Sequence, residues 1–143
     1  MKTLYHTRLF ASEEDGQTHF EDVPIDLERE SLTPHAEERL PCSRAMRAET
    51  LSWTDAPLDW STQPRSTCGR RIWVTLKGEY QVRVSDGETR NFPVGSVLLL
   101  DDVQNGMPHP LAGHSTKVIS PEGVTLLTIG LRSRSHPHFG DGD

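Results

Sequence analysis

The chain has 143 residues, a length that suits one domain with an apolar interior of its own. Its 15 basic and 21 acidic side chains give a formal net charge of -6, which opposes non-specific attraction to nucleic acid and to anionic membrane surfaces. No apolar run approaches the roughly 20 residues that span a bilayer, and the first residues lack the continuous apolar segment of a secretory leader. We therefore expect a cytoplasmic protein that binds neither nucleic acid nor membrane.

The first forty residues alternate between short extended runs and polar loops. Residues 4–10 predict a strand, residues 11–16 predict an acidic turn, and residues 19–25 predict a second extended run. From Ala11 to Leu40, ten acidic side chains stand against two arginines, which indicates a solvated segment. We expect residues 1–40 to form an N-terminal arm and acidic loop that pack on the main domain.

The next region contains one extended run and one loop. Residues 43–53 alternate with a period of two, which favours a strand, although a short helix is an alternative. Pro57 and Pro64 then bracket Trp60, and two prolines so close together favour an irregular loop. Trp60 is expected either to pack in the core or to form a lid over a ligand cavity.

Strand and turn signals are densest after residue 70. Residues 73–76 form a β-branched and aromatic run, and residues 80–84 alternate between apolar and polar side chains. Asp86-Gly87 predicts a tight hairpin turn because this pair tolerates positive φ angles. Residues 97–100 form another apolar run, and the runs 117–119 and 124–129 complete the set. The pattern predicts an all-β protein with a mainly antiparallel barrel.

The order of these turns resembles that of the small single-domain cupins. The residues that carry the resemblance are Gly78-Glu79, Asp86-Gly87-Glu88-Thr89-Arg90, Phe92 and Gly95. The chain is also similar to a group of small bacterial cupins of uncertain function in which an acidic pair and a Gly-His-x-Thr segment follow, here Asp101-Asp102 and 113–116.

The resemblance covers roughly residues 70–131 and implies a cupin-type antiparallel β-barrel, or jelly roll, with an N-terminal arm. We expect this barrel to span residues 41–131 and a flexible tail to span residues 132–143. Cupins of this size commonly form homodimers through edge strands and N-terminal arms, so the resemblance implies a homodimer.

Cupin enzymes usually hold a divalent metal through two histidines and a glutamate in a first motif and a histidine in a second. Counting back from Gly78 places Arg71 at the glutamate position and Arg65 and Thr67, or Pro64 and Ser66, at the histidine positions. These side chains do not replace imidazole or carboxylate ligands. Only the second motif offers weak metal candidates, His114 and its rival His109. We therefore expect no metal and no other cofactor.

The same alignment suggests a different kind of site. If Arg71 occupies an inward position, strand alternation also turns Trp73 and Thr75 inward, and His114 and Thr116 face them from the opposite strand. An inward guanidinium suits an anionic or carbonyl-bearing ligand, and a histidine beside it can act as acid or base. We predict His114 and Arg71 as catalytic candidates. The ligand-binding candidates are Arg71, Trp73, Thr75, His114, Thr116 and Trp60.

An alternative for Arg71 is a structural ion pair with Asp101 or Asp102 that closes one end of the barrel. Three functional classes remain open: a metal-independent barrel that binds a small molecule, with acid–base chemistry of the isomerase, lyase or cyclase type; a metal-dependent enzyme such as a dioxygenase; and a non-catalytic sensing or assembly module. Cys42 and Cys68 lack metal or redox spacing, and we expect both to be reduced thiols.

Overall fold

Strands make up all the regular secondary structure of the described part of the chain. The computed structural model describes residues 4–27, 29–30, 40–103 and 112–132. The strands are β1 Tyr5–Ala11, β2 Thr18–Pro24, β3 Arg29–Glu30, β4 Pro41–Cys42, β5 Ala48–Ala56, β6 Arg71–Gly78, β7 Tyr80–Val84, β8 Thr89–Phe92, β9 Val97–Asp101, β10 His114–Val118 and β11 Val124–Leu131. The described segments contain no helix that is long and apolar enough to cross a membrane.

The strands form a large and a small sheet, together with a short separate pair. The large sheet has six strands in the order β2-β1-β9-β6-β11-β5, and the small sheet has three in the order β10-β7-β8. Strands β3 and β4 pair with each other. All pairs are antiparallel except β1 with β9. The prediction of a mainly antiparallel all-β protein is confirmed.

The chain passes repeatedly from one sheet to the other. Strand β6 lies in the large sheet, the hairpin of β7 and β8 lies in the small sheet, β9 returns to the large sheet, β10 joins the small sheet, and β11 closes the large sheet. Winding of this kind wraps the strands around one core and defines a jelly roll. It is the fold that the resemblance to cupins implied.

The core lies between the two sheets and is filled by side chains of alternate residues. In β7, Tyr80, Val82 and Val84 are buried while Arg83 is exposed, as the two-residue period requires. These side chains pack against residues of the large sheet. The buried cluster consists of Leu9, Phe20, Tyr80, Val82, Val84, Phe92, Leu98, Leu100, Val118, Val124 and Leu126.

The N-terminal segment, expected as an arm that packs on the barrel, supplies two strands of the large sheet. Strand β1 pairs with β2 on one side and with β9 on the other, and Leu9 and Phe20 belong to the core cluster. The alternating run predicted over residues 43–53 forms a strand only from Ala48 onward. Residues 43–47 precede that strand without regular structure.

The outer face of the large sheet carries two apolar rows that cross four strands. Each row contains one residue from each of β5, β11, β6 and β9, and its members are paired across neighbouring strands. The first row is Trp53, Leu127, Val74 and Val97. The second row is Leu51, Ile129, Ile72 and Leu99. β5 forms one edge of this sheet, and the side chain of Trp53 on it is 64% exposed. Nothing within the described chain covers this end of the face.

Candidate functional site

His114 and Asp102 form a buried hydrogen-bonded pair at one end of the barrel. The distance from His114 Nδ1 to Asp102 Oδ2 is 2.6 Å. The other oxygen of Asp102 accepts a hydrogen bond of 2.5 Å from the hydroxyl of Thr67. Asp102 is 0% exposed and His114 is 7% exposed, so solvent scarcely weakens these bonds. The carboxylate thus fixes the orientation of the imidazole.

This pairing determines which nitrogen of His114 is available for chemistry. A carboxylate can only accept hydrogen bonds, so the proton of a neutral His114 lies on Nδ1 and points to Asp102. Nε2 then carries the lone pair, and it has no hydrogen-bond partner among the described residues. An imidazole of this kind can accept a proton or a hydrogen bond from a bound molecule.

Local backbone geometry places His114 at this position. Gly113, the preceding residue, has φ of +73°, in the left-handed region that suits glycine. A Cβ atom at Gly113 would lie 2.3 Å from the carbonyl carbon of Arg65. The close approach allows Arg65 and His114 to exchange two backbone hydrogen bonds, of 2.9 and 3.0 Å. Only glycine can occupy position 113 without a shift of the backbone.

The segment between β5 and β6 is the irregular loop that its prolines predicted, and it lies along β10. Bridges connect Ser61 with Lys117 and Arg65 with His114. The backbone N–H of Val118 donates to the carbonyl of Trp60 at 3.0 Å. These bonds hold residues 60–65 as an additional extended segment beside the small sheet, so Trp60 has a defined position.

His114 lies in the wall of a cavity of about 170 Å3. Arg71 and Arg65 are two cationic residues of the same lining, and no carboxylate residue lines it among the described residues. This composition favours an anion or a carbonyl oxygen over a cation. The lining residues are Trp60, Thr62, Arg65, Ser66, Thr67, Cys68, Arg71, Trp73, Leu100, His114 and Thr116.

Arg71 does not form the structural ion pair that was the alternative interpretation. Its Nε donates to the carbonyl of Gly69 at 3.1 Å. Asp101 instead binds the guanidinium groups of Arg8 and Arg70, at 2.8 and 3.0 Å. Asp102 is held by His114 and the Thr67 hydroxyl. Within the described chain, the guanidinium of Arg71 has no carboxylate partner, and the interpretation as an ion pair with the acidic pair was wrong.

A second cavity, of about 160 Å3, adjoins the first. The two cavities share Trp60, Trp73 and Thr116 in their walls. The second wall is mainly apolar, and Tyr80 contributes to it with a ring that lies edge-on to Trp73 at 5.5 Å. Its lining residues are Thr54, Asp55, Ala56, Pro57, Trp60, Trp73, Tyr80, Thr116, Val118, Val124 and Leu126.

Most of the residues selected from the sequence lie around these cavities. Arg71, Trp73, His114, Thr116 and Trp60 all line the polar cavity. The exception is Thr75, which is 1% exposed, does not line either cavity and donates to the carbonyl of Phe92 at 3.4 Å.

Sequence reasoning missed the parts of the site that depend on long-range contacts. Asp102 was considered only as a partner of Arg71, and neither Thr67 nor Arg65 was selected for this site. An inward position for Asp102 could have been inferred because it follows Leu100 by two residues at the end of β9. No local signal indicated the pairing of Arg65 with His114.

The residues around His114 do not fit a divalent metal. The described chain contains no group of three or more histidine, cysteine or carboxylate side chains that could hold one. His114 offers a single imidazole nitrogen, Nε2, and the positive charges of Arg65 and Arg71 in the same lining disfavour a cation. The rival candidate His109 and the His-Pro-His segment 136–138 lie outside the described residues.

Comparisons with known proteins concern the fold. No family model and no curated protein matches the chain. The chain is similar to a solved structure titled Schizosaccharomyces pombe Cnp3 Cupin Domain, with 14% sequence identity and a TM-score of 0.44. The match covers 92% of this chain and 86% of that chain. By the order and winding of its own strands, this protein has a jelly-roll fold of the cupin type.

Proposed function

We propose that the barrel binds a small organic molecule that carries a carboxylate or a carbonyl group. Arg71 would hold this group through forked hydrogen bonds, and the Nε2 lone pair of His114 would accept a hydrogen bond or a proton from a C–H, N–H or O–H group of the ligand beside it. The observation that carries the proposal is that Arg71, which lacks a carboxylate partner in the described chain, and His114, oriented by Asp102, line the same cavity.

The arrangement also equips His114 for proton transfer. Nε2 can take a proton from a bound molecule, and the imidazolium formed is stabilised by the buried Asp102 carboxylate. Proton transfer beside a carbonyl is a step in isomerase, lyase and cyclase reactions, and this acid–base chemistry suits the site. We propose ligand binding as the function and place His114 as the proton carrier in any reaction that follows.

Titration with sodium propionate, observed through the side-chain NMR signals of His114 and Arg71, tests this function. Propionate supplies a carboxylate and almost no apolar body. We expect saturable shifts of both signals, with affinity reduced at least tenfold in Arg71→Met. Arg83→Met removes an exposed arginine of β7 and serves as the matched control. Equal affinities in wild type and Arg71→Met would reject Arg71 as the anchor, and the absence of saturable binding would reject the proposed function.

We also propose that two copies of the chain pair through the outer face of the large sheet. The two apolar rows end at the edge strand β5, where Leu51 and Trp53 are largely exposed. A flat apolar face can cover an identical face related by a two-fold axis, and the pairing would remove both from water. The homodimer expected from the sequence thus gains a specific surface.

A further inference from the structure

The two adjoining cavities differ sharply in chemistry. One lining contains the cationic residues Arg65 and Arg71 together with His114. The other holds the apolar side chains of Val118, Val124 and Leu126, the ring of Tyr80 and two tryptophans. We call them the polar compartment and the apolar compartment. A ligand that occupied only the polar compartment would leave the apolar one without a function in binding.

The shared wall indicates that one molecule can contact both compartments. Trp60, Trp73 and Thr116 belong to both linings. The ring of Trp73 contacts Tyr80 edge-on, and backbone hydrogen bonds of Trp60 with Val118 and Pro57 fix the backbone position of the second tryptophan at this wall. A flat apolar group bound next to these indoles would gain contact with aromatic surface on more than one side.

The sizes of the compartments limit the ligand. An apolar protein cavity of about 150 Å3 is known to hold one benzene molecule. The apolar compartment, at about 160 Å3, therefore matches a body the size of one six-membered ring. The polar compartment, at about 170 Å3, has room for a short acidic or carbonyl-bearing chain.

We propose that the ligand is an amphipathic acid or carbonyl compound with one ring-sized apolar body, whose charged or carbonyl end binds Arg71 next to His114 and whose body fills the apolar compartment. This inference rests on the proposed function and specifies the class of its ligand. The apolar body supplies affinity through burial, and the polar end sets the orientation of the molecule relative to Nε2 of His114.

Three probes of matched structure test the ligand class. Propionate has only the carboxylate end, which we call the head. 3-Phenylpropionate adds one phenyl ring to it, and 3-phenylpropan-1-ol keeps the ring but lacks the negative charge. We expect 3-phenylpropionate to bind at least tenfold more tightly than either of the others in titration calorimetry, a difference of about 1.4 kcal/mol or more. In Arg71→Met, the acid should bind no more tightly than the alcohol.

Variants of the apolar compartment supply the second arm. Ala56→Leu and Val118→Phe each place additional carbon in this compartment, so they should weaken 3-phenylpropionate at least tenfold and leave propionate unchanged. Ala56 is only partly buried, so Ala56→Leu keeps the test decisive if Val118→Phe does not fold. The control is Val94→Leu, at an exposed position in the turn before β9.

The outcomes separate the ligand class from the function. If propionate binds through Arg71 and the phenyl ring adds nothing, the inference is overturned and the proposed function stands. If 3-phenylpropan-1-ol binds as tightly as the acid, the assignment of the head to Arg71 is overturned. If none of the probes gives saturable binding, the proposed function and the inference fall together.

Discussion

The imidazole of His114 donates from Nδ1 to a carboxylate of Asp102 that is wholly buried, across 2.6 Å. Asp102 has a second donor in the hydroxyl of Thr67. These two bonds anchor the end of the barrel at which the polar cavity lies, so the same contacts serve stability and the orientation of the proposed proton carrier.

Replacement of Asp102 by asparagine should lower the free energy of unfolding. The variant loses a charge-assisted bond to His114 at a buried site, and such bonds contribute about 1.5–3 kcal/mol. Urea denaturation measures the change, and Asp59→Asn, at an exposed position in the turn after β5, should stay within about 0.5 kcal/mol of wild type. Nitrogen-15 NMR of His114 adds a second readout, because the proton should no longer be confined to Nδ1. An unchanged tautomer in the variant would show that Asp102 does not set it.

Gly113→Ala should destabilise the protein more than Gly16→Ala does. Both glycines have positive φ, which costs alanine about 1–2 kcal/mol. A Cβ atom at position 16 meets nothing within 4 Å, whereas one at position 113 meets the backbone of Arg65. Chemical denaturation gives the free energy of unfolding of each variant. Gly16→Ala reports the backbone strain alone, and Gly113→Ala reports the backbone strain together with the steric contact. Equal losses of unfolding free energy would mean that the backbone of Arg65 moves away from the added Cβ atom without cost.

His19 should stabilise the fold in a way that declines as the pH rises. Burial alone would lower the pKa of His19, but hydrogen bonds to Asp86 and Asp15, at 2.7 and 2.9 Å, outweigh it and raise the pKa above 6.5. Because the folded state holds the proton more tightly than the unfolded state, this stabilisation is complete below pH 6.5 and disappears as the pH passes the folded pKa. NMR titration should give a pKa above 6.5 for His19 and a lower one in Asp86→Asn.

His6 provides an internal comparison for this titration. Burial, followed by the charge of Arg8, lowers the pKa of His6. The same NMR experiment should therefore resolve one histidine above 6.5 and one below it. A pKa of His19 at or below that of His6 would contradict the predicted stabilisation of the protonated His19 by Asp15 and Asp86.

Tyr80→Phe should leave the unfolding free energy unchanged or raise it by up to about 2 kcal/mol. The Tyr80 hydroxyl is buried and interacts with the side chain of Thr75 without meeting hydrogen-bond geometry, and burial raises the pKa of Tyr80 despite this contact. Phenylalanine removes the unsatisfied group and keeps the ring contacts with Phe92 and Trp73. Tyr80→Leu, which also loses these contacts, should be clearly destabilised. A loss of more than 1 kcal/mol in Tyr80→Phe would reveal a bond to the hydroxyl.

Trp53→Glu should prevent formation of the proposed dimer. The charge would lie in the apolar row shared with Leu127 and Val74 and would be buried without a partner at a two-fold interface. Sedimentation velocity measures the mass, and Val94→Glu, at an exposed turn outside these rows, is the control. A wild-type protein that sediments as a monomer, or a variant that remains a dimer, would reject this face as the interface.

The local signals of the sequence indicated most of the longer strands but not β3, β4 or β8, and with the resemblance to cupins they indicated much of the candidate site. Turn residues such as Asp86-Gly87 determine the backbone conformation at their own position, so a turn can be predicted locally. A two-residue period shows which side chains of a strand lie on the same face. The inward positions of Trp73 and Thr116 followed from that period once Arg71 and His114 had been placed inward. Arg71 and His114 were chosen through the resemblance to cupins, and the structure brings them into one cavity.

The contacts between residues far apart in the chain depend on the tertiary structure. The parallel pairing of β1 with β9 joins segments about ninety residues apart, and Asp102 meets both His114 and Thr67 only when the sheets have closed. Such contacts arise because burial of the core fixes the relative positions of the strands. A buried carboxylate then forms hydrogen bonds with the donors that this arrangement brings close to it. Alternation states that a residue points inward, but only the assembled barrel determines what it meets there.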